Sequence, residues 1–387
     1  MAGHASDTTP GTVLVANPSA DLYGSDRMVL EAVRGLTDLG WKVIVTCSQE
    51  GPLVRVLRDE EIDVRVLEAP VVRKSMLSPK GILRLSRDIS TQVPRMRRLI
   101  RETRPDVVLS NTVTIPFWTV AGRTTRRPVV VYVHEAESAL SRPARTLLTA
   151  PLRFASAIVF NSQTSRQVSR VKSLEKADRT TVLHNGLRGP DAVAEARREL
   201  DGSLRVVYVG RLSPRKGVDL AIRAVALLRR DGIEATLDIV GDVFPGYEWY
   251  ESELRELVRE LAVEDAVVFS GFEPAVWGHL AAADVAVVPS RLDESFGNVL
   301  VEAILSARPV VAADQAGLRE ASEGFGAAVL VQPDDERALT EGLRRVYEQW
   351  PDYRERARED AAHARERNSP SAFHRRLSEF LGRWARG

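Results

Sequence analysis

The sequence predicts an α/β protein built from two doubly wound parallel-sheet domains, and three observations carry that prediction. Runs such as Val129–Val133 and Val285–Val288 are apolar without alternation. Strands buried on both faces of a parallel sheet read this way, and half-solvated strands do not. Each such run is followed by a loop and then by apolar residues at helical spacing, the order of a strand–helix–strand layer. That order restarts once, after residues 188–203, which are polar with Gly and Pro and so mark an interdomain connection. A chain of 387 residues also exceeds what one hydrophobic core usually organises.

The first domain is expected over residues 1–187. Thr12–Ala16 is a buried strand, and the loop NPSADLYGSDR follows it. Val29, Val33 and Leu36 then place a helix over Met28–Leu39, with Gly40 as its C-terminal stop. Val43–Thr46 is the next strand, Pro52–Asp59 a helix and Val64–Leu67 a strand. This opening lacks the GxGxxG of dinucleotide-binding folds, which sets a nicotinamide dehydrogenase aside. Ile82, Leu85, Ile89, Val93, Met96, Leu99 and Ile100 recur at steps of three or four, so Gly81–Arg104 is a helix, with Pro94 predicting a kink or a break. Val107–Leu109, Val129–Val133, Ala157–Phe160 and Thr181–Leu183 are strands. They end in Ser110-Asn111-Thr112, His134-Glu135, Asn161-Ser162 and His184-Asn185-Gly186 respectively. Polar groups at the carboxyl ends of buried parallel strands lie where such folds bind ligands, which singles out His134.

The second domain is expected over residues 188–369. Leu204–Val209 is a strand followed by GRLSPRKGVDL, in which Arg211 and Lys216 supply two cations and Gly217 precedes a helix to about Leu228. Two positive groups beside a helix N-terminus suit a diphosphate. Ala235–Val240 is a strand, Tyr247–Tyr250 an aromatic cluster read as packing, and Leu254–Leu261 a helix. Val267–Ser270 is a strand ending at Gly271-Phe272. The strand Val285–Val288 is stopped by Pro289-Ser290, and the loop beyond carries Asp293, Glu294, Phe296 and Gly297. A helix then starts near Asn298 and Val299 and ends before Pro309. Glu302 lies on that helix, with seven residues separating it from Glu294. Beyond the strand Val329–Val331 the chain is helical and charged, with Phe373, Leu377, Phe380, Leu381 and Trp384 as an apolar stripe in the last helix.

Charge is nearly balanced at +1, yet residues 1–190 hold 28 Lys and Arg against 18 Asp and Glu. Between Arg73 and Arg104 lie ten basic residues and two acids. This reads either as the solvated face of a core-packed helix or as a surface for an anionic partner such as a membrane. No apolar run reaches the about 20 residues that cross a bilayer. The polar start and the single Cys47 complete the expectation of a cytoplasmic protein, with peripheral attachment to the membrane's inner face as the sharper version.

The spacing E-x7-E around S-F-G, the G-R-L-x-x-x-K-G after a strand and the V-H-E at a strand end together resemble the retaining glycosyltransferases of family 4, the group 1 glycosyl transferases. The resemblance covers nearly the whole chain and is strongest from Val206 to Ala313. It implies a GT-B fold, two Rossmann-like domains facing across a cleft, with residues 370–387 returning as a helix to the first domain. It implies transfer of a sugar from a nucleotide-diphosphate donor, UDP- or GDP-linked, to an acceptor hydroxyl, in envelope polysaccharide or glycolipid synthesis. Arg211 and Lys216 would hold the diphosphate, Glu294 and His134 the transferred sugar, and Glu302 the ribose. The backbone over Phe296, Gly297, Asn298 and Val299 would cap sugar and phosphate, and Gly271 would lie at the base. Gly24-Ser25 stands where the family has a glycine pair near the acceptor, and Gly24 reads equally as a turn glycine. The partners implied are the donor, an acceptor sugar or lipid-linked glycan and an anionic membrane surface, with no nucleic acid. No cofactor and no metal are expected, since the DxD of metal-dependent transferases is absent and two cations take its place. A sugar phosphorylase or a non-catalytic binding module on the same scaffold are the alternatives.

Overall fold

Consecutive Val, Ile and Leu residues lose little by being fixed as strands and gain most when both faces are covered. Helices on either side of each sheet do that covering. The computed structural model describes residues 10–72, 79–135, 146, 148–169, 178–244 and 246–385. The chain divides into two units, Met1–Gly186 with Pro370–Gly387, and Leu187–Ser369.

In the first unit the elements are β1 (Thr12–Ala16), α1 (Gly24–Asp38), β2 (Lys42–Cys47), α2 (Pro52–Asp59), β3 (Asp63–Val66) and α3 (Pro79–Thr103). They continue with β4 (Val107–Ser110), α4 (Phe117–Thr124), β5 (Val129–Val133), β6 (Ala157–Phe160), α5 (Gln163–Ser169) and β7 (Thr180–Val182). Seven strands form one parallel sheet in the order β3-β2-β1-β4-β5-β6-β7. The chain reverses its direction of travel between β1 and β4, which pair through Leu14 and Val108. Cys47 is fully buried at the end of β2.

Two sequence expectations change here. The first helix starts at Gly24 rather than Met28, so Gly24 and Ser25 form its exposed first turn and Gly24 needs no positive φ. The basic helix α3 runs unbroken through Pro94. Its later turns are held by Met96 and Ile100, buried in the core of this unit with Val93 and Leu99 packed beside them. That packing outweighs the one backbone bond a proline forfeits. Arg95, Arg98 and Arg101 stand on the exposed side, Arg98 paired with Glu102 at 2.6 Å. The basic residues Arg73 and Lys74 lie outside the described residues.

The second unit holds β8 (Ser203–Val209), α6 (Val218–Arg230), β9 (Glu234–Val240), α7 (Glu248–Glu260), β10 (Val267–Gly271), α8 (Trp277–Ala282) and β11 (Val285–Val288). It continues with α9 (Asn298–Leu305), β12 (Val310–Ala313), α10 (Ala316–Ser322), β13 (Ala328–Val331), α11 (Glu336–Glu348) and α12 (Trp350–Arg367). Six parallel strands run in the order β10-β9-β8-β11-β12-β13, so the reversal falls between β8 and β11. Tyr247 and Trp249, expected as packing, are exposed at the start of α7; only Tyr250 of that run is buried as a core residue.

The last helix, α13 (Pro370–Ala385), belongs to the first unit. Phe373, Leu377, Phe380 and Leu381 are buried, each worth about 1.5–3 kcal/mol relative to exposure. Trp384 is only half-buried. Two polar bonds fix the helix on α1 and on the residue just before β2: His374 Nε2 lies 2.8 Å from Glu31 Oε1, and Trp41 Nε1 donates to Ser378 Oγ at 2.8 Å.

Candidate active site

In an open parallel sheet the loops after the two strands that flank the reversal diverge, and the space between them admits ligands. In the second unit these are the loops after β8 and β11. Gly217 lets them approach: its φ is +67°, and any side chain there would collide with the carbonyl of Pro289. Arg291 N donates to the Arg215 carbonyl at 2.8 Å, closing the same contact.

Across that contact Lys216 Nζ lies 2.6 Å from Glu294 Oε1, and Ser290 Oγ donates to the same oxygen at 2.6 Å. Arg215 is 3.9 Å away. Burial alone would raise the Glu294 carboxyl, but the Lys216 and Arg215 cations and the bonds from Lys216 and Ser290 override it and hold the group down at about 2. Glu294 is thus ionised and fixed in place at any neutral pH. The chain then turns through Gly297 at φ +93°, where a side chain would strike Leu318, and enters α9. Asn298 and Val299 form the first turn of that helix, whose N-cap residue, Gly297, has no side chain to cap it. Phe296 is buried beneath the turn, and Glu302 is buried on the helix itself. The Arg211 guanidinium lies over the Phe244 ring, 3.1 Å from its centroid, and its carbonyl accepts from Tyr208 Oη at 2.9 Å. Gly271 sits at the carboxyl end of β10 with φ +73°. The structure therefore brings Lys216 and Glu294 into direct contact and sets Glu302 on the helix that the Glu294 loop leads into. Ser290 and Arg215, which hold Glu294, did not stand out in the sequence; a serine directly after a strand-stopping proline was the available signal.

In the first unit each of four strands is followed at once by a polar residue: Asn17 after β1, Asn111 after β4, His134 after β5 and Asn161 after β6. His134 Nε2 lies 2.8 Å from Asn111 Oδ1, and its ring packs 4.0 Å from that of Tyr132. Burial pushes the imidazole down to about 3, so the ring is neutral at physiological pH. Glu135 beside it is pushed up by burial to about 7 despite bonds from the Thr112 hydroxyl and the His134 amide. Asn17 and Asp26, both buried, join this group through hydrogen bonds that only the folded sheet reveals. Gly24 and Ser25 directly precede Asp26 in the first turn of α1.

Two family patterns match the chain. Glycosyltransferase Family 4 matches residues 23–188, and Glycosyl transferases group 1 matches residues 193–364. Among curated proteins, a 2-deoxystreptamine glucosyltransferase from Streptomyces kanamyceticus is 27% identical over 82% of this chain and 88% of its own length. A D-inositol 3-phosphate glycosyltransferase from Acidothermus cellulolyticus is 38% identical over 40% of this chain and 38% of its own. With several of the curated relatives the match spans less than two thirds of the relative's length. Among solved structures, the Anabaena protein HepE in complex with UDP-glucose superposes with a TM-score of 0.79 at 25% identity, covering 96% of this chain and 99% of its own.

Proposed function

The chain belongs to the group 1 glycosyltransferases of family 4, with the GT-B architecture of its structural neighbours, and from that premise we propose that it moves a sugar from a nucleoside diphosphate donor to an acceptor hydroxyl with retention at the anomeric carbon. The observation that carries this reading is the Lys216–Glu294 pair in front of the α9 N-terminus, at the strand reversal of the second sheet. A diphosphate leaving group gathers negative charge as its bond to the sugar breaks. Lys216, Arg211 and the first amides of α9 are the groups that stabilise it. Once Lys216 engages phosphate, the Glu294 carboxylate is released to accept hydrogen bonds from sugar hydroxyls. Glu302 accepts from the ribose, Gly271 lies by the base, and His134 contacts the sugar. The acceptor oxygen enters on the face the diphosphate leaves, a donor phosphate oxygen takes its proton, and the reaction needs neither a cofactor nor a divalent metal because two cations already balance the charge. The acceptor is a glycan or glycolipid, approached from the first unit near Gly24 and Ser25.

The test is a donor screen. UDP-glucose is the first candidate, because HepE is seen with it. UDP-, GDP-, ADP- and TDP-sugars are incubated with the protein, and slow hydrolysis is followed by NMR of the released sugar. Release of the donor's own anomer in EDTA supports the reading. Inverted product, or hydrolysis only with added manganese or magnesium, refutes the mechanism. Sugar release only from a sugar 1-phosphate, with no protection by any nucleotide, would identify a phosphorylase instead.

A further inference from the structure

We propose that Asn17 and Asn111 are positioning residues that hold His134 in a single tautomer, with the proton on Nε2, so that Nδ1 meets the substrate only as a hydrogen-bond acceptor. The donor and acceptor character of each group decides the tautomer. An asparagine amide has the same shape with oxygen and nitrogen exchanged, so its partners decide its orientation. One end of the Asn17 amide faces two acceptors at 2.9 Å, the carbonyl of Ser19 and Oδ1 of Asp26. A backbone carbonyl never donates, so that end of Asn17 is the nitrogen. Its oxygen then faces Asn111, which must answer with its own nitrogen, at 3.0 Å. The Asn111 oxygen is thereby turned to His134 Nε2, at 2.8 Å. An amide oxygen accepts and cannot donate, and Nε2 must carry the hydrogen.

Asn17, Asp26 and Asn111 are each no more than 3% exposed, so water does not substitute for a missing partner. Reversing any one amide would set oxygen against oxygen in a buried place, which the whole chain resists as a unit. The neutral ring that burial favours leaves Nδ1 with its lone pair. A group that accepts at Nδ1 selects a hydroxyl over an ether or carbonyl oxygen at that point of the substrate. This consequence rests on His134 contacting the sugar, as proposed above; the tautomer itself does not.

The experiment is NMR of the imidazole nitrogens in the full-length protein labelled at histidine, with the His134 signals assigned by their loss in His134→Gln. The expected wild-type spectrum shows a protonated Nε2 and an unprotonated Nδ1 at neutral pH. Asn17→Leu, a residue that does not touch His134, should release the Asn111 amide and populate the Nδ1–H form. Donor turnover should then fall about tenfold, the value of one hydrogen bond to substrate. A wild-type ring that is protonated on Nδ1 or on both nitrogens overturns the proposal, whether or not any variant folds. So does a single unchanged tautomer in Asn17→Leu. A tautomer that shifts while turnover stays at the wild-type value upholds the positioning role and instead removes His134 from the sugar site.

Discussion

Replacing Lys216 by Met tests the centre of the site, because the side chain keeps its length and loses its charge. Its 2.6 Å contact with Glu294 ties that charge to the stability of the fold. The Glu294 carboxyl sits at about 2 against an ordinary 4.5, a depression worth about 3 kcal/mol of stability at pH 7. A depressed acid stabilises the folded state at every pH above about 4.5, and that contribution drains away as pH falls toward about 2. Arg215 at 3.9 Å and Ser290 at 2.6 Å remain in the variant, so Lys216→Met should cost less than the whole, about 2 kcal/mol at pH 7. Urea unfolding at pH 7, and at steps down to pH 3, reads this directly. The variant should unfold earlier at pH 7 and approach wild type at the acid end, where the pair no longer contributes fully. Adding Glu294→Gln should recover part of the loss, since removing both charges leaves neither buried alone. A Lys216→Met protein as stable as wild type at pH 7, or losses that simply add in the double variant, would show that the pair does not hold the loops together.

Three further outcomes are expected. Arg211→Ala should lower turnover by about a hundredfold with little effect on unfolding, if its role is to stabilise a departing diphosphate; wild-type turnover would place the diphosphate elsewhere. Gly217→Ala should destabilise the second unit by about 1–3 kcal/mol, because both its φ and the nearby Pro289 carbonyl exclude a side chain; a melting temperature within a degree of wild type would contradict the loop geometry. The arginines of α3 should bind anionic vesicles electrostatically, at about 1 kcal/mol each near the surface. Co-sedimentation that survives high salt, or that is unchanged when Arg95, Arg98 and Arg101 become Gln, would count against that attachment.

The membrane question shows where a one-dimensional pattern stops. An apolar stripe flanked by arginines has the same spacing whether the stripe meets lipid or a sheet. The structure puts Met96 and Ile100 into the first unit's core, which leaves the exposed arginines as the part of α3 able to meet a charged surface.

Much of the architecture was legible because the forces that set it are local. Unalternated apolar runs announced the parallel strands, and β1, β5, β6 and β11 fall where those runs lie. Glycine and proline marked their ends, and the restart after residue 203 marked the second sheet. The motif around Glu294 was legible too, since its parts stand within a few residues of one another. What the chain alone did not disclose is which distant groups would meet. Lys216 and Glu294 are 78 positions apart, and Asn17 and Asn111 are 94 apart. Their meeting depends on strand order, β1 beside β4 and β8 beside β11, which places the ends of non-consecutive strands next to each other. Strand order is decided by how the whole sheet twists, packs and is covered by helices, a sum over the entire domain that no short window of sequence contains. Once the order is set, buried polar groups must find partners among whatever neighbours it supplies, and so the pairing of each site residue was decided by the tertiary structure.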